Sequence, residues 1–194
     1  MKDKTTKKRI KSTITYMDDL SNNYSKLNIV RVDLAYKKPY SDDVTLEDAN
    51  KDFKHLLDNM SSKPKIFEHV VGYVCKREYT EDRGVHFHTM FICDGQKVKN
   101  DAYKADQIGK YWEQITKGDG SYHNCNRNKY EQNGIGMLDH KDKEKRKILD
   151  EKVIPYLCKE EQSIEPIKSS NRTKAFSRGV VKIKESKKGR PRKP

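Results

Sequence analysis

Two histidines one residue apart, His86 and His88, sit in the run V-H-F-H-T-M-F-I-C (Val85 to Cys93). In a strand, side chains two apart share a face. His86 and His88 then point one way, while Val85, Phe87, Thr89 and Phe91 point the other, toward a core. Two imidazoles side by side grip one divalent cation and leave its other positions open to a substrate. Six histidines in 194 residues give about 0.2 such pairs by chance. The pair alone therefore decides little, and two surface histidines on a half-buried strand fit it as well. Its surroundings carry more weight.

Glu78 closes the preceding apolar stretch, just before the turn-like T-E-D-R-G (Thr80 to Gly84). Antiparallel pairing across that turn brings Glu78 next to the histidines. Two imidazoles and a carboxylate form a set suited to Mg²⁺ or Mn²⁺. Asp33, on an earlier strand, is the alternative third ligand. Either acid also has an ordinary reading: Glu78 as a surface carboxylate paired with Arg77 or Arg83, Asp33 as an edge or capping group. Further along, Y-L-C-K sets Tyr156 three residues before Lys159, on one side of a helix. A tyrosine hydroxyl is a poor nucleophile unaided, and a nearby ammonium together with a metal-polarised phosphate would activate it. Pro155 places Tyr156 in the first turn of a new helix, where the positive end of the dipole favours phenolate and phosphate. Tyrosine and lysine on an amphipathic helix are also common without any such role.

The elements that must position these groups follow from pattern. L-N-I-V-R-V-D-L-A-Y (Leu27 to Tyr36) reads as a strand that stops before Pro39. Leu46 to Met60 has helical apolar spacing. Ile66 to Tyr79 and Val85 to Cys93 read as the two strands of a hairpin. Asp101 to Thr116 reads as a helix with Ala102, Ala105, Ile108 and Trp112 on one side. Ser121 to Asn126 and Gly134 to Leu138 are short candidate strands. A charged helix over Lys141 to Lys152 is expected to be interrupted by Pro155. Residues 1–26 read as a basic, flexible arm with at most a short helix near Tyr16 to Leu20. Residues 27–163 read as the folded domain, and 164–194 as a polar, flexible tail.

Lysine and arginine number 42 against 29 acids, a net charge of +13. That balance favours a polyanionic partner through counterion release, nucleic acid before membrane surface, because the basic stretches lack interleaved Trp, Phe and Leu. The four cysteines (Cys75, Cys93, Cys125, Cys158) form no C-x-x-C and read as reduced thiols of a cytoplasmic protein. No apolar run is long enough for a membrane helix, and no signal peptide is expected at the basic start. His123 and Cys125 could pair on a metal, but nothing supplies two further ligands. The end, K-K-G-R-P-R-K-P, resembles an AT-hook at Gly189, Arg190 and Pro191, with a plain basic tail as the alternative.

G-V-H-F-H-T-M-F-I followed by Y-L-C-K resembles the HUH endonucleases: rolling-circle replication initiators, relaxases and related transposases. The order, histidines before tyrosine, is that of the initiators. The likeness is closest to inovirus-type gene 2 replication proteins. It is carried by I-V-R-V-D-L-A-Y (Ile29 to Tyr36), G-Y-V-C-K-R-E-Y (Gly72 to Tyr79), G-V-H-F-H-T-M-F-I-C-D-G (Gly84 to Gly95), Y-W-E-Q-I-T-K-G (Tyr111 to Gly118) and P-Y-L-C-K (Pro155 to Lys159). The resemblance implies an α+β fold: a central antiparallel sheet flanked by helices, with the histidine strand in its middle. It implies His86 and His88 as metal ligands, Tyr156 as nucleophile and Lys159 as its partner, with Glu78 where the acidic ligand would fall.

The expected activity is a divalent-metal-dependent nick in one DNA strand, leaving a 5′-phosphotyrosine link. The DNA would be a single-stranded or locally melted origin-like site, in a bacterial host cell, for a phage, satellite or plasmid. Arg77, Arg83, Arg190 and Arg192 are the expected DNA contacts. A single tyrosine in the motif calls for a second molecule, such as a dimer partner, or a separate resolution step. Two alternatives stand beside this: a non-catalytic DNA-binding regulator on the same fold, and a metallonuclease using water.

Overall fold

The computed structural model describes residues 2–159, 163–170 and 173–181. Helix α1 (Lys2–Asn23) leads into β1 (Lys26–Tyr36), followed by α2 (Leu46–Asp58) and the short α3 (Pro64–Phe67). The hairpin β2 (Val70–Thr80) and β3 (Gly84–Asp94) comes next, then α4 (Asp101–Ile115), β4 (Gly120–Asn124) and β5 (Gly136–Asp139). The chain continues through α5 (Lys143–Ile148), a π turn (Leu149–Val153) and α6 (Ile154–Cys158), and later adds β6 (Phe176–Arg178). The strands form one antiparallel sheet in the order β4-β1-β3-β2-β6, with β5 pairing the other half of the β1 edge. The expected α+β class holds, and β3 lies mid-sheet.

Alternation along the three long strands builds two cores. Val30, Val32 and Leu34 of β1 and Val85, Phe87 and Phe91 of β3 meet α2 and α4 through Phe53, Leu56, Ile108 and Trp112. The opposite face carries Leu27, Ile29, Val74, Met90 and Ile92, beneath Tyr16, Met17 and Leu20 of α1 and Leu149, Ile154 and Leu157 of the later helical run. The histidine strand is thus buried on both faces, not half-buried as alternation alone suggests, because the second face has its own helical cover.

The N-terminal arm is a correction. Ile10, Thr13, Met17 and Leu20 form a stripe at helical spacing within the lysines, and α1 lays that stripe on the sheet. The approach is close: a Cβ at Gly72 would lie 2.3 Å from the Tyr16 hydroxyl. Leu20→Ala should therefore cost about 2–5 kcal/mol, read as a lower denaturant midpoint at unchanged slope. A true arm would leave the midpoint where it is.

Three other expectations are corrected. The strand expected from Ile66 starts at Val70, because Pro64 at the first helical position turns Ile66 and Phe67 into α3. Residues from 164 are not all tail: Ile164 is fully buried and β6 pairs with β2. Pro155 does not start a separate helix. The helical run from Lys143 to Cys158 is continuous, and the π turn sits just upstream, where the proline ring would otherwise meet the carbonyl of residue 151.

Candidate metal centre and the tyrosine beside it

The apolar half of the second sheet face lies under helices; its other end is polar. Register places Asp33 opposite His88 on one side and Lys76 opposite His88 on the other, with Glu78 opposite His86. One row of β1, β3 and β2 therefore reads Asp33, His88, Lys76, and the next sets His86 beside Glu78. These follow from strand alternation: Arg31 and Asp33, Lys76 and Glu78, His86 and His88 are each two apart.

His86 is 1% exposed, and its Nδ1 lies 3.0 Å from the Gly84 carbonyl. A carbonyl only accepts, so Nδ1 carries the proton and Nε2 presents a lone pair. That Nε2 is buried without a hydrogen-bond partner and lies 3.4 Å from Glu78 Oε2. His88 Nε2 lies 2.8 Å from the same oxygen. Ligand atoms of Glu78, His86 and His88 all fall within 4.8 Å of one another, so the three could hold a metal ion. Adjacent ligands of an octahedral ion with bonds near 2.1 Å sit roughly 3 Å apart, which suits these spacings. The orphaned His86 Nε2 is the atom such an ion would satisfy.

Of the two candidate acids, Glu78 is the one facing both imidazoles. Asp33 Oδ2 sits behind His88, 2.9 Å from its Nδ1, and its other oxygen accepts from Arg31 Nη2 at 3.0 Å. That is the placement of a carboxylate that orients a ligating imidazole from its far side. Lys76, 5% exposed, ion-pairs with Glu78 Oε1 and leaves Oε2 to the histidines.

Charge and burial oppose each other here. Burial would raise the Glu78 carboxyl, but His86, His88 and Lys76 overcome it and hold it well below the usual range. Burial likewise opposes ionisation of Asp33, which His88 and Arg31 bring down to about 2. Burial works against His88 protonation, yet Asp33 and Glu78 raise its pKa above the usual value. The His88 ring lies between the two carboxylates, 2.9 Å from Asp33 and 2.8 Å from Glu78. Both depressed acids stabilise the fold above about pH 4 and lose that effect on acidification; the raised histidine stabilises it below about pH 6.5 and loses that effect as pH rises through its folded value. Metal needs the neutral imidazole. Metal-free protein should accordingly melt higher at pH 6 than at pH 8, while Mn²⁺ should raise the melting temperature more at pH 8. An equal Mn²⁺ shift at both values would argue against ligation by His88.

Tyr156 reaches this face from α6. Its ring lies 5.6 Å from that of His88, edge to face, and it is 47% exposed. The Arg31 guanidinium lies 5.3 Å from the centre of the same ring. Burial pushes the Tyr156 hydroxyl above the ordinary tyrosine value, Asp33 adds to this, and Arg31 opposes it. The helix-dipole expectation is corrected: with the helix continuous from Lys143, Tyr156 lies near its negative end, and the favourable charge comes from Arg31. Lys159 caps this helix: its N–H donates to the Pro155 carbonyl at 3.1 Å, which keeps it on the last helical turn, three residues after Tyr156. The cations that strand pairing brings to the centre are Arg31 and Lys76. Both stand two residues before Asp33 and Glu78, a spacing from which strand alternation could have found them.

Arg77 is on the other face, an odd position among even ligands. It lies over Phe53 and Phe87 at 5.3 and 5.8 Å and donates from Nε to Asn50 Oδ1 at 2.7 Å, away from the candidate metal ligands. Arg83 is exposed in the β2–β3 turn. Arg190, Arg192 and the G-R-P motif lie outside the described residues. All four cysteines are free and buried. Among the described residues no helix is long and apolar enough to cross a membrane.

A family model described as the YagK/YfjJ C-terminal domain matches residues 1–179. No curated protein and no solved structure matches the chain.

Proposed function

For a chain that belongs to the YagK/YfjJ C-terminal domain family, we propose a metal-dependent DNA nickase that cuts one strand through Tyr156. The observation that carries this reading is convergence: Tyr156 and Arg31, from distant parts of the chain, meet the face bearing His86, His88 and Glu78. Its other support is the likeness of the histidine and tyrosine motifs to those of HUH endonucleases.

Mg²⁺ or Mn²⁺ on these three side chains supplies charge withdrawal from a non-bridging phosphate oxygen when bound. The protein's own groups do the rest. Asp33 fixes the ring of His88, and the Gly84 carbonyl fixes that of His86. Tyr156 Oη forms a bond to phosphorus as the bond to the 3′-oxygen breaks; the phenolic proton is lost and the 3′-oxygen gains one. Arg31 offsets the phenolate and phosphoryl charge. The phosphotyrosine link conserves the bond for religation, as a replication initiator or a nickase of foreign DNA requires, in the cytoplasm of a bacterial host.

A second reading has its own observation: Glu78 pairs with both Lys76 and His88, and Asp33 stands 2.9 Å from His88 Nδ1, without metal. On that reading the network is structural, and the protein is a DNA-binding regulator. Supercoiled plasmid incubated with protein and Mn²⁺ separates the two. Nicked circles with protein bound to the 5′ end support the nickase; nicks without attached protein point to hydrolysis by water; supercoils persisting across varied sequences favour the regulator.

A further inference from the structure

A second feature shares Arg31 with Tyr156. Behind the guanidinium lies a cavity of about 50 Å³, lined by Arg31, Tyr130, Asn133, Gly134 and Val153 among others. Val153 stands three residues before Tyr156, so cavity and tyrosine are neighbours on one helical run. Arg31 is only 7% exposed, yet its Nε is buried with no hydrogen-bond partner. Asp33 already pairs with Nη2 at 3.0 Å, so Nε is the donor of this cavity-lining guanidinium that is left for a further acceptor, such as a phosphate oxygen. On the measure of that cavity volume one water needs about 10–15 Å³, so the space holds a group of a few heavy atoms such as a phosphoryl group.

The rim adds an aromatic. Tyr130 is 44% exposed, but its hydroxyl is held: it donates to the Cys125 carbonyl at 3.1 Å and accepts from Asn128 Nδ2 at 3.3 Å. Asn128 Nδ2 also meets His123 Nε2 at 3.1 Å, and His123 lies across from Asp33 in the sheet. The ring is therefore fixed at one edge with the rest open to solvent, as a stacking platform needs.

We infer that this is a nucleotide subsite of the single strand: the cavity on Arg31 takes the backbone phosphate next to the one attacked, and Tyr130 stacks the attached base. The subsite rests on the proposed nickase reading. It supplies what Arg77 does not, a built contact for the strand on the face that Tyr156 occupies.

The test uses the full chain carrying Tyr156→Phe in EDTA, with a short single-stranded oligonucleotide containing 2-aminopurine. Binding should quench the fluorophore. Tyr130→Ala should weaken binding about 5- to 150-fold and remove the quench; Tyr130→Phe should stay within about threefold of the parent. Arg31→Gln should reduce the slope of log affinity against log salt by about 0.7, one phosphate on a single strand. Millimolar inorganic phosphate should displace the oligonucleotide from the parent more than chloride of equal ionic strength does, and should lose that advantage with Arg31→Gln. Should Arg31→Gln fail to fold, the two Tyr130 variants decide alone. Unchanged affinity and quench in Tyr130→Ala would overturn the subsite while leaving nicking by the unsubstituted chain to stand. A parent that binds no single strand would overturn the subsite and weaken the nickase reading with it; nicking of plasmid by the unsubstituted chain then tells the two failures apart.

Discussion

Tyr156→Phe should reduce nicking by at least about a thousandfold while single-strand affinity stays within about twofold. Only the hydroxyl is lost. The ring keeps its edge-to-face contact with His88 and its place under Arg31, so the fold and the bound strand should not notice. The phenylalanine variant should therefore melt within a degree or two of the parent, and the covalent protein–DNA species on a denaturing gel should vanish with the nick. Tyr130→Phe is the matched control: Tyr130 lines the same cavity as Arg31, but its hydroxyl is engaged by Cys125 and Asn128, so nicking should persist. Cleavage retained by Tyr156→Phe and lost by Tyr130→Phe would move the nucleophile to the loop. Cleavage retained by both would leave water as the attacking group, and the histidine centre as a hydrolytic one.

Strand and helix periods alone place β1, β3, α2 and α4 within a residue or two, because their apolar positions are dense and bounded by Pro39, Gly84 and Thr116. The His86–Glu78 pairing was equally legible, since a short turn fixes hairpin register. What failed has a common cause: pattern reading sees one face at a time. The α1 stripe of Ile10, Thr13, Met17 and Leu20 is diluted by lysine and aspartate on three sides, so it reads as polar chain. Arg31 and Lys76 interrupt apolar runs, and nothing local says that the sheet's second face is covered, leaving two cations at a buried centre. Pro155 carries the general rule that proline ends helices; a π turn upstream lets this one continue. That difference matters chemically. It moves the favourable charge at Tyr156 from a helix end to Arg31, a group that substitution can remove.

The metal centre admits a sharper test than ligand deletion alone. Glu78 is both a ligand candidate and the partner of a buried lysine. Glu78→Gln leaves the Lys76 ammonium buried without its counter-charge and should cost about 3–5 kcal/mol, so lost activity would be ambiguous. Replacing both members together, Lys76→Met with Glu78→Gln, removes the uncompensated charge; such exchanges are often neutral or stabilising. The double variant should melt near the parent in EDTA. It should nonetheless lose the stabilisation by Mn²⁺, about 2.7 kcal/mol for the parent at a hundredfold excess over the dissociation constant, and lose nicking with it. His86→Ala should abolish the Mn²⁺ shift as well, since the orphaned Nε2 has no other use. Asp33→Asn should be milder, a 10–100-fold loss of metal affinity, because it acts on His88 from behind. If the row of charges were only structural, the double variant would keep every property of the parent, and EDTA would change nothing in either. A metal site predicts the reverse: two proteins of equal stability without metal, of which one alone responds when Mn²⁺ is added.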